Sequence, residues 1–390
     1  MNYGVIRFVV GWTLMLEGAL MVPSAAVAVI YGEDVFWDFA AAIALCIICG
    51  LLAKMKRPAK REFFAREGCV SVALSWVALS VMGSLPFLFS GAISDPIDAL
   101  FETVSGFTTT GASILPEVES LPRSILFWRS FTHWIGGMGV LVFLLILLPM
   151  TGGFSMNIMK AESPGPSVSR LVPKVRTTAK ILYSIYIGMT IIQVVLLVLG
   201  KMSLFDALTL TFGTAGTGGF GIRNDSVGSF SSYHQIVTTI FMILFGINFN
   251  AYYFILLGKA KAAFKIEEVR GYLAIIGVAT LAIAVNIYHM YGSLAETLRH
   301  AAFQVASIIT TTGYTTTDFN QWPEVSRTIL VILMFIGACA GSTGGGIKVS
   351  RILILLKTVK KEIGQYLHPK NVKKIKMDGK SIEHEVVRST

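Results

Sequence analysis

Charge is the scarcest feature of this 390-residue sequence: 14% of residues are charged, against 54% hydrophobic. Mean hydropathy is +0.67. A soluble domain carries about 25% charged residues, so the deficit excludes a soluble enzyme, a disordered chain and a fibrous one. Cysteine is nearly as scarce. Cys46, Cys49, Cys69 and Cys339 all lie in apolar segments. Cys46 and Cys49 form a C-x-x-C inside an apolar run, with no second ligand pair and no strand–helix context. Buried free thiols are therefore expected, not a metal or redox site. The six histidines (His133, His234, His289, His300, His368 and His384) are scattered, without metal spacing or a catalytic partner in sequence. Catalysis has no support.

What the sequence has instead is long apolar runs. A hydrocarbon core of about 30 Å needs about 20 apolar residues in a helix. Eight stretches meet that length: 4–31, 36–53, 69–92, 124–149, 178–200, 233–258, 271–291 and 326–347. The first is too long for a signal peptide, lacks a small-residue cleavage site and is interrupted by Glu17. The segments 54–67, 150–180, 258–270 and 348–390 hold 26 of the 33 basic residues but only 9 of the 23 acidic ones. Basic loops stay in the cytoplasm. The expectation is an all-α, multi-pass protein of the cell membrane with both termini cytoplasmic. The net charge of +10 is then a topology signal and gives no reason to invoke nucleic acid.

Three of the outward segments, 93–123, 201–232 and 292–325, are too short to cross twice and too apolar for solvated loops. They read as re-entrant: a short helix dips in and the chain returns extended, which lipid forbids unless protein or a water-filled path surrounds it. Asp95, Asp98, Glu102, Glu117, Glu119, Asp206, Asp225, Glu296, Asp318 and Glu324 lie in these segments, and an acidic mouth concentrates cations.

The three segments resemble one another. Phe101 to Gly111, Leu208 to Phe220 and Phe303 to Tyr314 each carry Thr-Gly about ten residues after the start of a short apolar stretch. Gly111 to Gly218 is 107 residues and Gly218 to Gly313 is 95. The unit is helix, pore loop, helix, three times over, behind an additional N-terminal hairpin. A cation leaving water must exchange its hydration oxygens for protein oxygens, usually backbone carbonyls. Aiming consecutive carbonyls at one axis calls for backbone angles that suit glycine, and threonine adds hydroxyl oxygens without charge.

Two other patterns fail on context. Gly216 to Gly221 satisfies G-x-G-x-x-G but does not join a strand to a helix. Gly341 to Lys348 resembles a phosphate-binding loop, but Ile347 separates the last glycine from the lysine. The run Gly337 to Gly346 is instead a poor helix former inside the eighth span. An unwound intramembrane loop is expected there, with Lys348 and Arg351 marking the cytoplasmic boundary.

Ser105-Gly106-Phe107-Thr108-Thr109-Thr110-Gly111-Ala112, Thr217-Gly218-Gly219-Phe220 and Thr311-Thr312-Gly313-Tyr314 resemble the Trk/Ktr/HKT superfamily of cation transporters, closest to its TrkH/TrkG potassium uptake subunits. Gly136-Gly137-Met138-Gly139, Ala161-Glu162-Ser163-Pro164-Gly165-Pro166 and Ala340 to Lys348 strengthen the resemblance. It implies a potassium-channel-like pore normally built from four repeats. Its ion-binding positions would be Thr110, Gly111, Thr217, Gly218, Thr312 and Gly313, flanked by Thr109, Gly216 and Thr311. Gly341, Ser342, Thr343, Gly344, Gly345 and Gly346 would form the gate loop. The resemblance implies K+ as the transported ion with no cofactor in the chain, a homodimer in lipid, and a cytoplasmic nucleotide-binding regulatory subunit of the TrkA type.

The organisation expected is a hairpin and basic linker over 1–67 and repeat 1 over 68–177, with its filter near 108–112. Repeat 2 follows over 178–270 (filter near 216–220), then repeat 3 over 271–350 (filter near 311–314, intramembrane loop 337–346). Residues 351–390 form a cytoplasmic linker toward a fourth repeat that the sequence lacks. Two readings share this fold: a Na+-permeable or weakly selective transporter, and a truncated, non-conducting chain that associates with intact subunits.

Overall fold

Backbone surrounded by lipid must satisfy its own hydrogen bonds, and a helix does so within one segment. The computed structural model describes residues 1–55, 65–139, 175–368 and 374–382, and its regular structure is almost wholly helical. The described residues form two compact units, one up to Ser226 and one from Val227 onward. The first holds α1 (Tyr3–Tyr31), α2 (Phe36–Lys54), α3 (Ala65–Gly83), α4 (Leu85–Phe89), α5 (Pro96–Phe107), α6 (Arg123–Gly137), α7 (Val175–Leu199) and α8 (Leu204–Gly216). The second holds α9 (Ser232–Phe245), α10 (Phe249–Leu256), α11 (Ala260–Lys265), α12 (Glu267–Ile287), α13 (Leu294–Ile309), α14 (Glu324–Ile336) and α15 (Val349–Leu367). A two-residue antiparallel hairpin, Lys376–Met377 with Lys380–Ser381, follows.

Among the described residues five helical stretches are long and apolar enough to cross a membrane: Tyr3–Tyr31, Phe36–Lys54, Arg66–Phe89, Thr177–Leu199 and Glu267–Met290. In α12 one face, Tyr272, Ile276, Ala279, Ile283 and Ile287, is buried against α13 and α14, while Val278, Leu281 and Val285 on the other side are 69%, 61% and 79% exposed. A helix apolar all round is stable only where its outer face also meets an apolar medium. In the N-terminal hairpin α1 and α2 approach backbone to backbone. A side chain on Gly11 would stand 2.8 Å from the Gly50 carbonyl, and one on Gly18 3.2 Å from Cys46 Cβ. Small residues permit this contact; Cys46 fills it as a buried free thiol.

The other three expected spans differ. Part of the fourth, 140–149, lies outside the described residues, and α6 covers its first half. The sixth is not one helix: α9 and α10 meet at 93°. Gly246 and Ile247 separate them, and the Asn248 side chain caps the new helix by accepting from Asn250 N–H at 2.9 Å. The carbonyls stranded at the end of α9 have partners: Gly246 accepts from Cys339 N–H (3.1 Å) and Phe245 from Thr343 Oγ1 (3.3 Å). The eighth stops at Ile336, and residues 337–348 are non-helical before α15.

The short helices α5, α8 and α13 begin alike. Asp95, Ser203 and Ser293 cap them, accepting from Asp98, Asp206 and Glu296 N–H at 3.2, 3.1 and 3.2 Å. Each thus has an oxygen-bearing cap with an acid three residues on, both favourable at a helix N-terminus. The caps precede Gly111, Gly219 and Gly313 by 16, 16 and 20 residues, so α13 is longer by about a turn.

Candidate cation-conducting loops

Each short helix ends in the same unusual turn. Thr109, Thr217 and Thr311 have φ of 55°, 54° and 59°, and the glycines two residues later, Gly111, Gly219 and Gly313, have φ of 75°, 80° and 83°. The residue between donates its N–H to the carbonyl five back: Thr110 to Ser105 (2.9 Å), Gly218 to Gly213 (3.0 Å), Thr312 to Ser307 (2.8 Å). A β-branched residue at positive φ is a genuine outlier, costing about 1–2 kcal/mol. Three in equivalent places need a common cause. Alternating the hand of successive residues turns their carbonyls toward one side of the chain, the arrangement a dehydrated cation requires.

This register corrects the alignment of the second loop. By hydrogen bond and by φ, Gly219 is the counterpart of Gly111 and Gly313, while Gly218 stands where loops 1 and 3 have Thr110 and Thr312. The spacings become 108 and 94 residues. Gly219 is thus the residue missed by matching Thr-Gly pairs. The aromatic after it, Phe220, shared with Tyr314, was the available signal.

The support behind the turns differs. In loop 1 the Thr108 and Thr110 hydroxyls share a hydrogen bond (2.8 Å), as do Thr310 and Thr312 in loop 3 (2.7 Å). In loop 2 the imidazole of His133 fills that place. A side chain on Gly218 would run into the ring. Phe220 stacks on the same ring at 4.1 Å between centroids and donates its N–H to Nδ1 at 3.4 Å. His133 is fully buried, and spacing arguments alone gave no hint of it. Gly136 and Gly137 let α6 carry this histidine so close. A side chain on Gly136 would meet the Phe107 carbonyl, and one on Gly137 the backbone of Gly216. Within the motif Gly136-Gly137-Met138-Gly139, the first two glycines therefore serve one short helix each, Gly136 facing α5 and Gly137 facing α8. Ala161 to Pro166 lies outside the described residues.

Glu102 is not a mouth residue. It is 1% exposed and paired with Arg129, 2.6 Å away.

The break in the last span packs under loop 3 within the second unit. Gly345 N–H donates to Thr311 Oγ1 at 2.7 Å, and that hydroxyl donates to the Thr310 carbonyl at 2.6 Å. The buried Glu268 carboxylate holds both ends, accepting from Ala340 N–H (2.6 Å) and Ser350 N–H (3.1 Å) through Oε1, and from Asn248 Nδ2 (3.3 Å) through Oε2. Lys348 does not mark a solvent boundary. It is 5% exposed and folds its amine onto the carbonyls of Gly344 and Gly345. Among the described residues no group of His, Cys, Asp and Glu has the makings of a metal site.

A family model for TrkH, described as a cation transport protein, matches residues 37–390. The chain belongs to the TrkH family. It is a transport protein and not an enzyme. The Trk system potassium uptake protein TrkH of Vibrio parahaemolyticus is 35% identical over 396 residues, covering 99% of this chain and 82% of that protein. The TrkG protein of the same system in Escherichia coli is 33% identical, over 99% and 81%. The crystal structure of the potassium transporter TrkH from V. parahaemolyticus superimposes with a TM-score of 0.88 at 34% identity, over 100% of this chain and 82% of that one. A TrkH-family chain is a multi-pass membrane protein, in keeping with the apolar helices above.

Proposed function

We propose that this TrkH-family chain takes up potassium across the cell membrane as part of a Trk-type system. Ions would cross a filter lined by Thr110, Gly111, Thr217, Gly218, Thr312 and Gly313, with Gly219 completing loop 2. The observation that carries this reading is the threefold recurrence of a left-handed threonine two residues before a left-handed glycine. Backbone strain of that kind persists where function demands it. The relatives' names, potassium uptake proteins, support the choice of ion.

The filter oxygens carry no formal charge, so a cation held there can leave again. Each preceding helix directs the partly negative end of its dipole at the turn. Residues 341–346 are the proposed gate: a loop hydrogen-bonded to Thr311 can obstruct or free the path below loop 3 by moving. The basic segments support placing both termini in the cytoplasm. Pairing as a homodimer in lipid and docking of a TrkA-like nucleotide-binding regulator belong to the same reading.

The test is complementation. Expressed from its own gene in a bacterium stripped of potassium uptake, the protein restores growth at low K+ and takes up Rb+ in preference to Na+. Growth rescue by Na+ flux alone, or no rescue with the protein present in the membrane, would contradict the reading.

A further inference from the structure

Resting on the filter reading, we infer that the buried Glu102–Arg129 ion pair is a selectivity brace that locks filter loops 1 and 2 to each other. Glu102 lies on α5, nine residues before Gly111, and Arg129 on α6; they are 1% and 3% exposed. Arg129 Nε donates to Glu102 Oε1 at 2.6 Å. The same oxygen accepts from Ser113 Oγ at 3.0 Å, and Oε2 accepts from Ile114 N–H at 3.1 Å. Glu102 thereby grips the chain just past Gly111. Arg129 reaches the other way. Its Nη1 donates to the Gly221 carbonyl at 2.8 Å, and its guanidinium lies 3.7 Å from the centre of the Phe220 ring. It thereby grips the chain just past Gly219.

The equivalent positions explain why the pair spans two loops. Nine residues before Gly313 stands Gln304, whose Nε2 donates to the Thr317 carbonyl at 3.4 Å, a neutral version of the same grip. Nine before Gly219 stands Leu210, whose side chain is a hydrocarbon and cannot make such a grip. Loop 2 takes its anchor from Arg129, a residue of the preceding repeat.

Two charges buried together are retained only where further hydrogen bonds satisfy them, and a well-packed apolar pair often serves stability as well or better. Here the extra partners are filter backbone and the face of a filter aromatic. Holding oxygens within ~0.5 Å of a required geometry needs such locked support. The pair touches no ion; it positions the residues that do.

The experiment measures Na+ competition against Rb+ uptake in cells lacking their own potassium uptake, with the protein expressed from its own gene and its membrane level followed by immunoblot. Four variants are compared: Glu102→Gln, Arg129→Lys, the double Glu102→Gln/Arg129→Gln and, for the filter itself, Gly219→Ser. The double variant leaves no unpaired buried charge, so it keeps the test open if the single variants do not accumulate. The expected result is that the double variant reaches the membrane and carries cations while its preference for Rb+ falls by about tenfold, the scale on which supporting residues tune ion sites. Arg129→Lys retains charge but not the fork that spans both loops, so it loses discrimination too. If the double variant keeps wild-type discrimination while Gly219→Ser loses it, the filter stands and the brace is refuted. Failure of the double variant to accumulate also refutes it, by marking the pair as a folding element. If Gly219→Ser keeps wild-type discrimination, the filter reading itself fails and the brace with it.

Discussion

Loops 2 and 3 follow one backbone path with different materials. In loop 3 the turn is braced from within by paired threonine hydroxyls, and Thr311 also accepts from the chain below it. In loop 2 the central threonine is replaced by Gly218, and an imidazole from α6 occupies the space. The difference teaches that glycine stands in these turns for two unrelated reasons. Gly313 is glycine because of its angle: φ is +83° and a side chain there would have nothing within 4 Å. Gly218 is glycine because of its neighbour: its φ is ordinary, but a side chain would strike His133.

Substitutions separate those reasons. The largest effect is expected from Gly218→Thr, which makes loop 2 read like its sisters but drives the hydroxyl-bearing side chain into a buried ring. Overpacking of this kind costs about 1–3 kcal/mol, and Rb+ uptake should fall below detection. Adding His133→Ala should recover part of it; failure to recover would mean that space is not the reason for the glycine. Next comes Gly313→Ala, where only the backbone is strained. The cost is about 1–2 kcal/mol, read as a lower unfolding midpoint with weakened uptake. An unchanged midpoint would break the distinction from the other side.

A third variant sharpens the contrast between the turn of loop 3 and the loop hydrogen-bonded to it. Glu268→Gln weakens two charge-assisted hydrogen bonds that pin Ala340 and Ser350. Hydrogen bonds to charged groups contribute about 1.5–3 kcal/mol each, so amide exchange at those two residues should accelerate while exchange in α13 stays as it was. The smallest effect belongs to Thr312→Val, which removes one hydroxyl from the pair in loop 3. About 1 kcal/mol is at stake, and uptake should drop only a few-fold. A loss as large as that of Gly218→Thr would show the hydroxyl itself to be the ion's ligand.

Much of this architecture is legible in the residues alone. Scarce charge and long apolar runs point to membrane helices, and the recurring Gly/Thr clusters point to repeats. Four glycines among residues 341–346 are enough to expect that the last span is interrupted. Three things escape. The break between α9 and α10 does, because hydropathy is blind to a helix end whose carbonyls are satisfied by Cys339 and Thr343, some ninety residues away. The register of loop 2 does, because letter matching treats a glycine required by packing and one required by φ as the same. The buried roles of Glu102, Glu268 and His133 also escape, because an acid between apolar spans or a lone histidine looks alike whether solvated or enclosed.

The central claim is the proposed filter: that Gly111, Gly219 and Gly313, each with the residue before it, offer their oxygens to a dehydrated cation. Its most direct test is a crystal structure of the protein soaked with Tl+, with the anomalous signal locating the ion. The account predicts Tl+ peaks ringed by carbonyls of residues 110–111, 218–219 and 312–313, diminished by competing K+ and not by Na+. Peaks absent from those carbonyls, or centred on residues 217–218 and leaving Gly219 without contact, would contradict it.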